Sequence, residues 1–313
     1  MNLLKIACVQ TDIIARDPSK NFCHLDELFK KIQDDRDIII LPETFTTGFP
    51  AEPEMFAENE DGPTMTWLRQ KAKERNCAIV GSFITAFERQ QDNKTTRQQD
   101  NGLQSSSTSQ SLGDSSQHLS ISASQCLSIS ASQHLSISVS QYHNTLVWMN
   151  PDGSYHTYNK RHTFMGGEKE QLCCGQEQIT IEYKGWKIRP FICYDLRFPA
   201  WLRNSYKDDK FEYDLGIVIA NWPVQKSYIW NTLLSARAIE NQAYFIGVNR
   251  VGTDHNKINY IGETKVVNGK GRTVAELADK EEILETEIDM ESLTAFRNYF
   301  TVHRDWDSFV IEK

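Results

Sequence analysis

The stretch FICYDLRFP at residues 191–199 decides the fold, because it joins the end of an apolar strand directly to the start of a helix. Residues 187–192 predict the buried strand, and Pro199 is a residue type that commonly begins a helix. The sharp turn between them exposes the sulfur of Cys193 and directs backbone N–H groups at the same point. A reactive cysteine at a strand end is therefore predicted, with a buried and inert cysteine as the alternative.

Outward from this stretch, short apolar segments alternate with amphipathic ones. Strands are predicted at 3–9, 37–41, 77–87, 144–149, 154–158, 215–220, 244–248, 261–267, 272–277 and 283–288. Helices are predicted at 19–33, with Ser19 as the cap, and at 64–75, 199–206, 227–241 and 290–299. This alternation is typical of α/β folds whose sheets are covered on both faces. The turn at 150–153 adds a hairpin, so mixed sheets are expected.

The composition of the 313 residues excludes several classes of protein. The chain carries 42 acidic and 34 basic residues, and its scattered basic residues and net charge of -8 disfavour a nucleic-acid groove. No apolar run approaches the ~18 residues that cross a bilayer, which excludes a membrane-spanning protein. The seven cysteines show no CxxC spacing, and the N-terminus lacks the features of a signal peptide. We therefore expect a cytoplasmic protein without a disulfide framework or a structural zinc site.

Residues 88–141 differ from the rest of the chain in composition, since they are rich in serine and glutamine and contain no aromatic residue. An eight-residue unit repeats three times within them, at 116–123, 124–131 and 132–139. The alternation of apolar residues with serine is compatible with short strands or a small solenoid, but a low-complexity surface insertion is the favoured interpretation. We expect one domain over residues 1–313 that this insertion interrupts at a hairpin tip.

Two more reactive side chains stand where apolar segments end. Glu43 follows the strand at 37–41, where partial desolvation would raise the pKa of its carboxyl toward that of a general base. Lys160 follows the strand at 154–158, and an ammonium close to Cys193 would favour the nucleophilic thiolate. Taken singly, the glutamate could be a helix cap or an ion-pair partner, and the lysine could belong to a solvated turn. Together the three residues predict nucleophilic attack on a carbonyl carbon.

Six local strings sharpen this prediction. They are LPETFTTGF (41–49), YNKRHTF (158–164), GGEKEQ (166–171), CYDLRFPAW (193–201), ANWP (220–223) and ARAIENQAY (236–244). In this order they resemble the nitrilase, or carbon–nitrogen hydrolase, superfamily and within it the omega-amidase branch, which includes 2-oxoglutaramate amidase-like enzymes. The resemblance covers residues 3–87 and 142–309. It implies an α/β fold in the form of a four-layer αββα sandwich with two mixed β-sheets, which makes the one expected domain a carbon–nitrogen hydrolase domain.

The resemblance also implies roles for individual residues. Cys193 would be the nucleophile, Glu43 the general base and Lys160 the cation that stabilises the oxyanion, with the backbone N–H of Tyr194 completing the oxyanion hole. A second glutamate would support the site. The family pattern places it at Glu168, but the interval from the lysine is one residue shorter than the branch leads us to expect, so Glu170 is the alternative.

The implied substrates are short dicarboxylate monoamides such as 2-oxoglutaramate and 2-oxosuccinamate, which require a cation for the free carboxylate. Arg197 is the first candidate for this clamp, with a structural ion pair as its alternative role. Asn221 and Trp222 would line the pocket. No metal or cofactor has a part in this chemistry. The family implies a homodimer or a higher even-numbered homo-oligomer.

Several other interpretations remain open at this point. The amidase could belong to another branch, such as an N-carbamoyl-amino-acid hydrolase or a true nitrilase. The chain could be a non-catalytic protein that acts through the insertion. A papain-like protease would need His255 or His303 as its base, but neither lies in a supporting motif. Arg237 and Glu240, three residues apart on a predicted helix, are interpreted as a bracing salt bridge.

Overall fold

A computed structural model describes residues 2–49, 52–88 and 140–312 of the chain. Met1–Phe87 and Ser140–Lys313 belong to one compact unit. The three octapeptide repeats and most of the expected insertion at 88–141 lie outside the described residues, so the prediction of an interrupted single domain stays a prediction.

The described residues form strands and helices that are numbered here in chain order. The strands are Leu3–Gln10 (β1), Ile38–Ile40 (β2), Ala78–Glu88 (β3), Ser140–Met149 (β4), Tyr155–Asn159 (β5), Ile181–Tyr183 (β6), Trp186–Ile192 (β7), Tyr206–Lys207 (β8), Lys210–Phe211 (β9), Leu215–Ala220 (β10), Tyr244–Asn249 (β11), Val251–Thr253 (β12), Asn259–Ile261 (β13), Lys265–Val267 (β14), Thr273–Glu276 (β15) and Glu282–Asp289 (β16). The helices are Pro18–Phe29 (α1), Pro53–Phe56 (α2), Pro63–Arg75 (α3), Pro199–Leu202 (α4), Ser227–Asn241 (α5) and Met290–Tyr299 (α6). Short 3₁₀ turns cover Cys193–Arg197, Val224–Lys226 and Val302–Asp305.

Most of the strands belong to two six-stranded sheets. In the first, with the order β16-β1-β2-β3-β4-β5, the strands β1, β2 and β3 are parallel, whereas β16 and β5 are antiparallel to their neighbours. In the second, with the order β15-β14-β11-β10-β7-β6, the central β7, β10 and β11 are parallel and the outer strands are antiparallel. Both sheets are mixed, as predicted.

Alternate side chains of β1 show how the layers stack, because successive residues of a strand point to opposite faces. Leu4 and Ile6 lie in a core cluster together with residues of the second sheet. Ala7 and Val9 belong to another cluster, which includes residues of α1 and α3. Helices α5 and α6 supply further core residues that pack with the second sheet. The order is helix, sheet, sheet, helix, which confirms the predicted αββα sandwich.

Helix α1 starts earlier than predicted, and Ser19 is not its cap. The carboxylate of Asp17 accepts a hydrogen bond from the backbone N–H of Lys20 at 3.0 Å, and Pro18 is the first helical residue. Proline suits this position because the first N–H of a helix has no intrahelical acceptor. The prediction was wrong because either residue, Asp17 or Ser19, is a suitable N-cap type.

Two other predicted elements are divided in the structure. The helix predicted at 199–206 ends at Leu202, after which the side chain of Asn204 donates to the carbonyl of Tyr213 at 2.8 Å and holds the chain in a turn. The strand predicted at 261–267 is interrupted because Gly262 and Glu263 both have positive φ angles, of 69° and 58°. Backbone in that region cannot continue a β-ladder.

Four strands bring polar side chains to one place. Glu43 lies beyond the end of β2, and Lys160 directly follows β5, both in the first sheet. Cys193 directly follows β7, and Asn221 directly follows β10, both in the second sheet. The hydrogen bonds among these residues show that the ends of the two sheets meet here.

Within the described ranges, no helix combines the length and the apolar character that crossing a bilayer requires. The cysteines of these ranges are all unpaired; they are Cys8, Cys23, Cys77, Cys173, Cys174 and Cys193.

Candidate active site

The turn after β7 gives Cys193 an unusual backbone. Its φ angle is +43°, in the left-handed region that residues other than glycine enter only at an energetic cost. The 3₁₀ turn Cys193–Arg197 follows at once, and Pro199 begins α4. As the second residue of this turn, Tyr194 has a backbone N–H without an acceptor inside the turn. The sulfur and this N–H therefore lie at the same strand end.

A buried lysine lies between two carboxylates beside Cys193. The Nζ atom of Lys160 donates to Oε1 of Glu43 and to Oε2 of Glu168, each at 2.7 Å. All three side chains are at most 1% exposed. Glu170 is exposed, so the structure places Glu168, and not the alternative, at the lysine. Both glutamates are thereby fixed relative to the ammonium group.

Asn144 is a member of this cluster that the sequence reasoning missed. Its Nδ2 atom donates to Oε1 of Glu43 at 2.9 Å and to Oε1 of Glu168 at 3.0 Å. A signal was present, because Asn144 precedes Leu146 and Trp148 at the same alternate positions of β4, where an apolar side chain is expected. A fully buried polar side chain on a core-facing position needs partners, and the two carboxylates supply them.

Asn221 binds the other carboxylate oxygen of Glu43. Its backbone N–H donates to Oε2 of Glu43 at 2.8 Å, and its Nδ2 donates to the carbonyl of Glu43 at 3.1 Å and to Oγ1 of Thr44 at 2.8 Å. The Sγ atom of Cys193 lies 4.0 Å from the carbonyl oxygen of Asn221. Asn221 thus holds Glu43 close to Cys193 as well as lining the pocket.

Burial and mutual charge set the protonation of this cluster. Burial raises the pKa of Glu43 above its ordinary value, against the opposing charge of Lys160. Burial lowers the pKa of Lys160, but the charges of Glu168 and Glu43 outweigh it and the net pKa is raised. Burial and the charge of Glu43 hold the pKa of the Cys193 thiol well above its ordinary value, although Lys160 opposes them. A thiol whose pKa is raised attacks a carbonyl carbon only when a neighbouring base accepts its proton, and Glu43 is the carboxylate that lies beside Cys193.

The cluster opens into a pocket of about 480 Å³ measured to its open mouth. It is lined by Glu43, Phe49, Lys160, Phe164, Cys193, Tyr194, Arg197, Asn221, Trp222, Pro223 and Lys226. The guanidinium of Arg197 stacks over the ring of Trp222 at 5.0 Å. No carboxylate of the described residues pairs with Arg197, so the structural ion pair considered for it is not found there. The pocket contains every predicted site residue except Glu168, which lies behind Lys160.

Asp195 connects the turn Cys193–Arg197 to the loop that carries Lys160. Its Oδ1 accepts from the backbone N–H of His162 at 2.9 Å and lies 2.8 Å from Nδ1 of the same residue. Its Oδ2 accepts from Tyr158 Oη at 2.7 Å and from the backbone N–H of Ile192 at 3.1 Å. Asp195 is fully buried. It was not singled out from the sequence, because an acid in the first turn of a helix is commonly a local cap.

Arg237 and Glu240 form the salt bridge expected on α5, at 3.1 Å. The same guanidinium donates from Nε and Nη2 to the carbonyl of Leu196, at 3.1 and 2.9 Å. Arg237 therefore braces the turn that carries Cys193.

The histidines that a papain-like mechanism would require lie elsewhere. Nδ1 of His303 is 2.8 Å from Oε1 of Gln242, and His255 is exposed. Neither residue lines the pocket at Cys193.

Comparison with known proteins gives an independent result. A model of the carbon-nitrogen hydrolase family matches residues 5–298. The chain is 33% identical to omega-amidase YafV of Escherichia coli strain K12 over 309 residues, covering 98% of each chain. It is 26% identical to 2-oxoglutaramate amidase of Bacillus subtilis strain 168 over 303 residues, covering 96% of each.

The fold is similar to a solved structure over its whole length. The crystal structure of XC1258 from Xanthomonas campestris, described as a CN-hydrolase superfamily protein with an arsenic adduct in the active site, superposes with a TM-score of 0.80. The two chains are 33% identical, and the match covers 100% of each.

Proposed function

The chain belongs to the carbon–nitrogen hydrolase family, as its motifs predicted, and is an amide-hydrolysing enzyme; we propose that it cleaves the terminal amide of short dicarboxylate monoamides such as 2-oxoglutaramate and 2-oxosuccinamate. One observation carries the proposal. The strained Cys193 stands beside Glu43 and Lys160 in a pocket that also holds Arg197, which pairs with no carboxylate of the described residues. This pocket combines a group that attacks an amide with a group that binds a carboxylate.

Acylation begins when the sulfur of Cys193 attacks the amide carbon while Glu43 takes the thiol proton. The oxygen of the amide becomes an oxyanion, which accepts hydrogen bonds from Lys160 and from the backbone N–H of Tyr194. The C–N bond then breaks, and Glu43 returns the proton to the leaving nitrogen, which departs as ammonia. The acyl group stays on the sulfur as a thioester.

Deacylation uses the same groups. Glu43 removes a proton from a water molecule as the water oxygen attacks the thioester carbon. The C–S bond breaks, the sulfur recovers the proton from Glu43, and the product is the carboxylic acid, which loses its remaining proton to solvent. The hydrogen bonds of Asn144 and Asn221 to Glu43 keep the carboxylate oriented through both halves of the reaction.

Substrate selection rests on the charge of the pocket. Lys160 lies between Glu43 and Glu168, whereas no carboxylate of the described residues lies within ion-pair distance of Arg197. A guanidinium binds a carboxylate through two parallel hydrogen bonds, and its stacking on Trp222 orients the fork. The free carboxylate of a dicarboxylate monoamide would bind here, and the amide would reach Cys193.

A substrate panel tests this proposal. Ammonia release should be fastest with 2-oxoglutaramate and 2-oxosuccinamate and much slower with N-carbamoyl amino acids and with nitriles. The Cys193→Ala variant gives the background for each compound. Faster turnover of carbamoyl amino acids or nitriles would assign the chain to another branch of the family.

The proposal includes a cytoplasmic enzyme that assembles as a homodimer or a higher even-numbered homo-oligomer. The unpaired cysteines of the described residues support a reducing compartment. The assembly is inferred from the family alone, and sedimentation of the purified chain tests it.

A further inference from the structure

Lys226 is a third cation of the pocket, and the proposed mechanism does not use it. It lies at the end of the 3₁₀ turn Val224–Lys226, and its Nζ is 4.7 Å from the centre of the Phe164 ring. The residue is half-buried, and no carboxylate or other hydrogen-bond acceptor of the described residues contacts its Nζ. A half-buried ammonium that only an aromatic ring compensates is a favourable place for an anionic or oxygen-bearing group.

Arg197 and Lys226 are held on one aromatic wall. The guanidinium of Arg197 lies over the ring of Trp222, and Nε1 of that ring donates to the backbone carbonyl of Lys226 at 2.8 Å. Phe164, which lies under the ammonium, packs edge-on against Tyr194 at 5.3 Å. The wall fixes two cations from different segments around one small pocket.

The two cations differ in the geometry that they recognise. The planar fork of Arg197 matches both oxygens of a carboxylate, whereas the ammonium of Lys226 is a point charge that suits a single oxygen. A 2-oxo acid presents this combination, because its carboxylate and its carbonyl oxygen are adjacent. An amino acid presents an ammonium at the same carbon, which Lys226 would repel.

We propose that Lys226 distinguishes substrates by the substituent on the carbon next to the carboxylate. Its ammonium group binds an oxo oxygen at that carbon and repels an ammonium group there. The inference rests on the proposed function and deepens it. It makes the pocket selective for 2-oxo acid amides over the amides of amino acids. For the five-carbon substrates, 2-oxoglutaramate is accepted and glutamine is refused.

Four amides of equal carbon-chain length separate the contributions of the carboxylate, the oxo group and the ammonium group to recognition. Pentanamide has no carboxylate, glutaramate has a carboxylate alone, 2-oxoglutaramate adds the oxo group and glutamine adds the ammonium instead. In Lys226→Met, kcat/KM for 2-oxoglutaramate should fall about tenfold, as for the loss of one charge-assisted hydrogen bond, while that for glutaramate changes little. The value for glutamine should rise, so the preference for the oxo compound over glutamine should fall by more than tenfold.

Two further variants control the experiment. Lys226→Arg keeps the charge and should keep most of the preference. Lys270→Met removes another lysine that lies over an aromatic ring, 5.4 Å from the centre of Phe296, but that does not line the pocket, and it should change none of the ratios. Ratios between substrates are independent of the active fraction, so partial unfolding of a variant does not affect the result.

The possible outcomes separate the two proposals. If the wild-type chain prefers 2-oxoglutaramate but Lys226→Met leaves its ratios to glutaramate and to glutamine unchanged, the role of Lys226 is overturned and the proposed function stands. If Lys226→Met weakens 2-oxoglutaramate and glutaramate equally, Lys226 belongs to the carboxylate clamp instead, which also overturns the inference. If the wild-type chain acts on pentanamide as well as on the acids, the proposed function itself fails.

Discussion

Glu43 is the residue on which both halves of the proposed reaction depend, and its contacts with Lys160, Asn144 and Asn221 restrict it to one orientation. A carboxylate that accepts these bonds is well placed, yet its burial still raises its pKa above the ordinary value of 4.5. The raised pKa makes Glu43 a stronger base for the thiol of Cys193. Geometry and basicity therefore act together at this residue.

The pH dependence of kcat/KM follows from the directions in which the pKa values of Glu43 and Cys193 are shifted. Glu43 must be ionised to accept the proton, and its pKa is raised, so activity should fall with an acid limb centred above pH 4.5. The pKa of the Cys193 thiol lies well above 9.0, so no thiol ionisation should add a limb between neutral pH and pH 9. Initial rates of ammonia release on 2-oxoglutaramate measure the profile. An acid limb at or below 4.5 would contradict the assignment of Glu43.

At the scale of elements, the site depends on how the turn after β7 is held to the loop after β5. Asp195 makes this connection through the backbone and side chain of His162 and through Tyr158. We expect Asp195→Asn to reduce kcat about 10- to 100-fold with a smaller change in KM, because a displacement of the nucleophile by about 1 Å has an effect of this order. Steady-state kinetics, with the active fraction determined by alkylation of Cys193, measure both quantities.

Asp214→Asn is the matched control for this variant. Asp214 is also buried and also accepts a side-chain hydrogen bond, from Arg297 Nη1 at 2.5 Å, but it lies away from the pocket. Both substitutions should lower the melting temperature, and only Asp195→Asn should lower kcat per active site. Equal kcat values in the two variants would mean that Asp195 only stabilises the fold.

At the scale of the whole molecule, the alternation of strands and helices predicted mixed sheets covered on both faces, and the resemblance of the motifs to a known family supplied the four-layer order. Glu43, Lys160 and Cys193 were singled out because each follows an apolar strand and because their order resembles that of the carbon–nitrogen hydrolase family; their catalytic roles stay predictions. The choice between Glu168 and Glu170 needed the structure, since it depends on the turn in which the N–H of Leu172 donates to the carbonyl of Glu168. Local spacing does not show which side of such a turn faces the lysine.

The residues missed by the sequence analysis share a physical reason. Asn144 and Asp195 matter through partners that are distant along the chain, and each has a common local interpretation as a strand or turn residue. Lys226 enters the pocket only because the 3₁₀ turn after β10 brings it next to Phe164. Long-range proximity of this kind depends on the packing of the two sheets and cannot be read from one segment.

The interrupted-domain prediction can be tested by deletion. Strand β3 ends at Glu88 and strand β4 begins at Ser140, and the two strands are neighbours in the first sheet. A two-residue Asn-Gly turn in place of residues 89–139 should therefore connect them. The shortened chain should keep kcat/KM for 2-oxoglutaramate within about threefold of the full chain, because the pocket lies among the retained residues. A folded but inactive deletion would give the insertion a part in catalysis.

Cysteine-dependent release of ammonia from 2-oxoglutaramate tests the central claim most directly. We expect the wild-type chain to release ammonia and an equal amount of 2-oxoglutarate, and Cys193→Ala to be slower by at least about a thousandfold, since the thioester cannot form. Cys23→Ala, which removes an exposed cysteine of α1, should retain the full rate. Equal rates for wild-type and Cys193→Ala would contradict the account.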